Sequence, residues 1–157
     1  MLAPETIAFL ESGCGIIVGT VGADGAPHVS RGWGITVVSD DPTEIRLLLD
    51  ADDAVAAECL AATGNIAVTG GDIRTLRSIQ LKGQASTVEP ATDHDRVRAA
   101  RFADEFFGNI NAVDGTPLDL LQSLRPPHFV ACTVRVVEMY DQTPGPSAGT
   151  RLTEATP

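Results

Sequence analysis

Residues 15–38 read GIIVGTVGADGAPHVSRGWGITVV, two β-rich runs separated by a tight-turn sequence. Gly15 to Val21 is apolar and β-branched, and Ala23-Asp24-Gly25-Ala26 supplies the residue types that a tight turn requires. A hairpin is expected. Its second strand, Pro27 to Val38, alternates, so that Val29, Trp33, Ile35 and Val37 share one face and His28, Ser30, Gly32, Gly34 and Thr36 the other. Arg31 falls in phase with the apolar face. The polar bend Ser39-Asp40-Asp41-Pro42 leads into a third strand, Glu44 to Leu49, and three connected strands argue an antiparallel meander rather than parallel crossovers.

Upstream, Pro4 suits a first helical turn, and a short leading helix runs through Ile7, Phe9 and Leu10 before Ser12-Gly13 stops it. Downstream, Asp50, Asp52 or Asp53 can cap a helix over Ala54 to Ala62, with Gly64 placed to close it. Asn65 to Thr69 is a fourth strand. Arg77 to Val88 alternates again, Ile79, Leu81 and Ala85 facing one way and Ser78, Gln80, Lys82, Gln84 and Ser86 the other. A helix follows from Thr92 to Phe107, with Gly108 as its stop, then a shorter one over Leu118 to Leu124 and a valine-rich last strand, Phe129 to Val137. About six strands and three or four helices thus share one sheet system over residues 1–140, and a small antiparallel barrel with flanking helices accommodates them. Residues 141–157, with three prolines and two glycines, form a Pro/Gly-rich C-terminal arm or tail.

Composition narrows the partners. Eleven Lys and Arg against 21 Asp and Glu leave a formal charge of −10, which repels phosphate backbones and anionic headgroups, so neither nucleic acid nor a membrane is an expected partner. With 43% apolar and 20% charged residues the 157-residue chain has enough to bury to fold as one core. The longest apolar run is far short of a membrane span, and the acidic start lacks the basic region of a signal peptide, so a cytoplasmic protein is expected. Cys14, Cys59 and Cys132 show no C-x-x-C spacing and are expected to be buried structural thiols. The three histidines are scattered, no metal site is assigned, and no G-x-S-x-G elbow marks a nucleophile.

Two places carry chemistry. In the second strand Gly32 and Gly34 strip side chains from beside Trp33, which serves either barrel curvature or the approach of a flat ligand. Arg31 beside them either snorkels at the strand end or delivers a guanidinium to an anion such as phosphate. The second place, Arg74 to Gly83, gathers Arg74, Arg77 and Lys82 in an acidic chain and sets Ser78, Gln80 and Lys82 on one strand face. That row is either a solvated face or a set of donors for an anionic small molecule.

The ordered pair formed by Ala23-Asp24-Gly25-Ala26-Pro27-His28-Val29-Ser30 and Arg77-Ser78-Ile79-Gln80-Leu81-Lys82-Gly83-Gln84-Ala85 resembles the pyridoxamine 5'-phosphate oxidase-like, FMN-binding split-barrel family. The resemblance spans roughly Phe9 to Val137. It implies a mainly β protein built on a six-stranded antiparallel split β-barrel, a homodimer with FMN at the subunit interface, and a flavoprotein oxidoreductase acting on a small-molecule substrate. Arg31 then matches the strand arginine that reaches the FMN phosphate. Gly32, Trp33 and Gly34 match the backbone passing along the flavin, and Arg77 and Ser78 match an arginine-polar pair near its ring, with Gln80 and Lys82 further along that strand. Where such proteins carry a basic pair at the helix after the third strand, this chain has Asp52-Asp53-Ala54, and Thr36 stands where the vitamin B6 oxidases carry a lysine. Catalytic residues are not assigned. Two other readings are a binder of deazaflavin or haem, with His28 or His128 as axial ligand, and a non-catalytic or ligand-sensing relative with a degenerate phosphate site.

Overall fold

A computed structural model describes residues 2–38 and 43–152; the bend expected at Ser39-Asp40-Asp41-Pro42 and the last five residues of the tail lie outside them. The elements are α1 (Pro4–Leu10), β1 (Gly15–Val21), β2 (Pro27–Val37), β3 (Glu44–Asp50), α2 (Ala54–Thr63) and β4 (Asn65–Gly71). They continue with β5 (Ser78–Ala85), β6 (Glu89–Pro90), α3 (Asp93–Asp114), α4 (Leu118–Gln122) and β7 (Phe129–Asp141). Every strand pairing is antiparallel. The order β3-β2-β1-β4-β5-β7 closes on itself through β3–β7, from Glu44 opposite Arg135 to Asp50 opposite Phe129, and so makes a six-stranded barrel. Closure satisfies both barrel edges, which an open sheet would leave unpaired. The helices flank it, and among the described residues no helix is long and apolar enough to cross a membrane.

The barrel interior is filled by Ile16, Val18, Ile45, Leu47, Leu49, Val68, Leu81 and Val134, each almost fully buried. β2 does not keep the simple alternation expected of it. Its register with β3 shifts between Gly32 and Ile35, and Gly34 sits at φ 142°. The extra residue moves Ile35 and Val37 onto the barrel side, opposite Leu47 and Ile45, while Val29, Arg31 and Trp33 stay outside. A bulge of this kind re-aims the side chains that follow it, so the expected common face of Val29, Trp33, Ile35 and Val37 is split in two. Trp33 packs under α3, with ring centroids 6.5 Å from Phe102, 6.2 Å from Phe107 and 6.2 Å from Phe129.

Other boundaries differ from expectation too, β7 running past Val137 to Asp141. α3 runs through Gly108 and ends at Gly115, which takes the left-handed conformation at φ 76°. A helical glycine costs about 1 kcal/mol relative to alanine, and burial of Phe102, Ala103, Phe106 and Phe107 outweighs it. The strand expected to reach Val88 breaks after Ala85: Ser86 bonds Thr133 through both its backbone N–H and its hydroxyl, and β6 resumes alongside β7 as a short outer strand. Beyond β7, residues 142–152 fold back, Gln142 donating to Ser78 and Leu152 to Met139. The three thiols are buried, and burial pushes Cys14 up to about 11 and Cys132 up to about 12.

One ion pair joins helix to barrel. Arg46 on β3 presents Nε and Nη2 to the two carboxylate oxygens of Asp95 at 2.8 and 2.7 Å, and Nη1 to Glu89 at 2.6 Å. Asp95 also accepts from the Thr92 backbone and hydroxyl, both at 2.8 Å, completing the capping box of α3. The Arg46 guanidinium first, and Thr92 after it, hold the Asp95 carboxyl far below the usual range against the cost of its burial. Because its folded-state pKa is depressed, this stabilisation is complete above about pH 4, near the unfolded-state pKa, and is lost as pH falls below it. Arg46→Met leaves a buried carboxylate without its cation and is expected to cost about 3 kcal/mol at neutral pH. Urea midpoints measured from pH 7 to 2.5 should fall less steeply for the variant than for the parent; equal slopes would remove Asp95 from this role.

A second expectation contrasts two glycines. A β-carbon at Gly83, where β5 and β7 shift register, would overlap the backbone carbonyl of Arg135, whereas one at Gly108 meets open space. Gly83→Ala should lower stability by about 1–3 kcal/mol, and Gly108→Ala should raise it by about 0.5–1 kcal/mol. Thermal melts of the two variants with a shared baseline distinguish these signs.

Candidate functional site: the outer face of the sheet

Antiparallel register aligns residues of five strands into rows across the outside of the barrel. One row runs Arg31, Ile17, Thr69, Gln80 and Tyr140; the next runs Val29, Gly19, Ala67, Lys82 and Glu138; a third joins Gly15, Gly71 and Ser78. Adjacent members of a row have their side chains on the same side of the sheet. Ile17 is 50% and Val29 67% exposed, an uncovered apolar centre with cationic and polar groups around it. Gly19 is informative here. A β-carbon there would meet only the Ala67 carbonyl at 4.0 Å, so nothing among the described residues requires the glycine. Mid-strand glycine weakens a strand and often marks the close approach of something else. Beside it, Gly19, Ala67, Lys82 and Gly83 border a shallow hollow of about 370 Å³.

The expected site residues divide. Arg31, Ser78, Gln80 and Lys82 come together on this face. The Arg31 guanidinium lies 5.9 Å from the Trp33 ring centroid and has no carboxylate partner among the described residues. Gln80 donates through Nε2 to Thr69 at 3.1 Å, and the Lys82 ammonium sits 4.8 Å from the Tyr140 ring. Gly32 faces the barrel interior, where a β-carbon would overlap Ile16. Trp33 is buried beneath α3, and Gly34 lies against Leu48 and Phe102. Arg77, on the loop before β5, turns toward α1 and covers Phe9 at 4.7 Å, away from Arg31.

A second cluster joins β2 to the start of α2. Asp53 caps the helix by accepting from the Ala56 N–H at 3.0 Å, and it also bonds His28 Nε2 at 2.9 Å and the Ser30 hydroxyl at 2.6 Å. Burial works against its charge, but the bonds from Ser30, Ala56 and His28 outweigh that and hold its carboxyl below the ordinary range. The serine donates to the aspartate and not to the histidine, so the three do not form a nucleophilic relay. The signal for this cluster is present in the sequence, as His28 and Ser30 share one strand face and Asp53 is among the candidate caps; only packing brings them into contact. Asp53→Ala removes the cap and leaves both partners without their acceptor, an expected loss of about 1–2 kcal/mol at pH 7. Since the folded-state carboxyl titrates low, melting temperatures of parent and variant should converge as pH falls below about 4. A constant gap down to pH 2.5 would contradict this.

No family model and no curated protein sequence matches the chain. Solved structures do. HupZ of Group A Streptococcus is 15% identical, with 95% of this chain and 100% of that one aligned at a TM-score of 0.56. A candidate pyridoxamine 5'-phosphate oxidase of Lactobacillus delbrueckii is 17% identical over 88% of this chain and 93% of its own, TM-score 0.55. An F420 reductase is likewise 17% identical over 88% and 98%, TM-score 0.55. At these identities it is the fold that is shared, and the chain has the pyridoxamine 5'-phosphate oxidase-like split-barrel fold.

Proposed function

We propose that the outer sheet face binds a flavin-type cofactor, FMN in the first instance, between two copies of the chain, and that the protein is an oxidoreductase acting on a small molecule. The observation that carries the reading is the face itself: four strands bring Arg31, Ser78, Gln80 and Lys82 around uncovered Ile17 and Val29, beside a glycine that internal packing does not require. An FMN has matching parts, a flat apolar ring with polar edges and a dianionic phosphate. Arg31 would meet the phosphate, and Ser78, Gln80 and Lys82 the polar ring edges. Of the two acids that replace the usual basic pair, Asp53 is turned to His28, Ser30 and its own helix, and Arg31 would supply the positive charge that the phosphate needs. The same bond ties up Nε2 of His28, which weighs against haem ligation there. Two proteins of this fold, a candidate pyridoxamine 5'-phosphate oxidase and an F420 reductase, carry the names of redox enzymes.

A bound flavin would supply the hydride chemistry at its ring. The chain's own groups bind it, orient it and, with a second copy laid over Ile17 and Val29, exclude water. A guanidinium–phosphate bond contributes roughly 1.5–3 kcal/mol, so Arg31→Ala should weaken FMN binding by about one to two powers of ten. Arg77→Ala, which uncovers Phe9, should change it less. Fluorescence titration of FMN into folded variants reads both, and light scattering should give twice the 16.4 kDa chain mass. A parent that binds no FMN yet remains dimeric would favour a non-catalytic or ligand-sensing split barrel; a monomer would remove the shared cleft.

A further inference from the structure

We propose that a groove on the α3 side, between β6 and the segment leading into β7, binds a compact organic anion: a carboxylate or phosphate monoester with a small apolar body. The groove measures about 360 Å³ and presents Arg96, Arg125 and His128 between proline walls formed by Pro90, Pro126 and Pro127. Such a volume is at the small end of the range for ligand pockets.

Charge placement supports it. Arg46, Arg96, Arg98, Arg101, Arg135 and Arg151 each have a carboxylate within ion-pair distance. Arg125 has none among the described residues, although the chain carries 21 acids and this arginine is half-buried. A guanidinium withdrawn from water without a counter-ion is a receptor for one. Arg96 stands on the groove wall and is held there, donating through Nη1 to the Ala91 carbonyl at 2.7 Å and through Nη2 to Asp93 at 2.8 Å. Asp93 is 98% exposed, so that pair is screened by solvent and leaves the guanidinium available.

Rigidity supports it as well. The His128 carbonyl accepts from the Ala51 N–H at 3.1 Å, and Ala91 donates to the Phe129 carbonyl at 3.3 Å, fixing both rims. Prolines restrict the backbone, so little freedom is lost on binding. The apolar walls call for a hydrophobic body, and the chain's net charge of −10 disfavours a polyanion, leaving a small monovalent or divalent anion.

The test uses benzoate and phenyl phosphate as probes and benzamide as the uncharged control, added to ¹⁵N-labelled protein. Saturable shifts at Ala91, Arg96 and residues 125–129 with at least one anion, and none with benzamide, are expected; the tighter anion identifies the head group. Arg125→Gln should weaken that binding at least tenfold while its melting temperature and its FMN titration stay those of the parent. His128→Gln, on the rim, should weaken it by a smaller factor. Arg31→Ala should leave it unchanged, which separates this groove from the sheet face. Absence of saturable shifts with both anions, shifts centred on Ile17 and Val29, or parent-like binding by Arg125→Gln would each overturn the proposal.

Discussion

At Gly32 a β-carbon would occupy the space of the Ile16 side chain, and two residues later Gly34 takes a φ of 142° that side-chain-bearing residues rarely adopt. Between them β2 gains a residue against β3, and Trp33 and Ile35 leave the strand on opposite sides. Most of the remaining architecture depends on that bulge. Ile35 continues the barrel interior toward Leu47, while Trp33 makes the aromatic seat on which Phe102 and Phe107 hold α3. Without the bulge one of these two packing layers would lose its central residue. Arg31, which precedes the shift, is held outside by its pairing with Ile17 on β1, next to the part of the outer side that α3 covers at Trp33.

The acidic composition acts locally through where its charges are compensated. Asp95 is buried against Arg46 and the Thr92 cap, so the strand that closes the barrel is tied to the longest helix by charge-assisted bonds. Asp53 does comparable work between β2 and α2 with neutral donors and a histidine. These carboxylates are therefore structural: each joins the start of a helix to a neighbouring strand through donors from both. Five cations have no carboxylate at ion-pair distance among the described residues: Arg74 and Arg77 on the loop before β5, Arg31 and Lys82 on the sheet, and Arg125 in the groove, and the two proposals draw on the last three.

The flavin reading and the anion groove rest on different parts of the barrel. The sheet face depends on register, since four strands must align before Arg31, Gln80 and Lys82 share a surface. The groove depends on two turns, one before α3 and one before β7, held together by β6 pairing with β7. Perturbing one leaves the other's supporting bonds in place.

Local sequence determined much of this protein. The hairpin was legible because Ala23-Asp24-Gly25-Ala26 admits the positive φ of 81° at Gly25, and the α3 start because Thr92 and Asp95 cap each other within four residues. The strand pattern of Ile79 and Leu81 against Ser78, Gln80 and Lys82 was legible as well, since alternation is a property of the strand itself. Tertiary structure alone decided the rest. A bulge shifts alternation by one residue without any change in residue type, so the split between Trp33 and Ile35 needed β3 beside β2. Gly108 remained helical because core burial of its neighbours exceeds its small intrinsic penalty. Arg31 and Arg77, alike in sequence, were separated because the loop before β5 turns Arg77 onto Phe9 while β2 holds Arg31 on the outer sheet, a difference of packing that no single strand encodes.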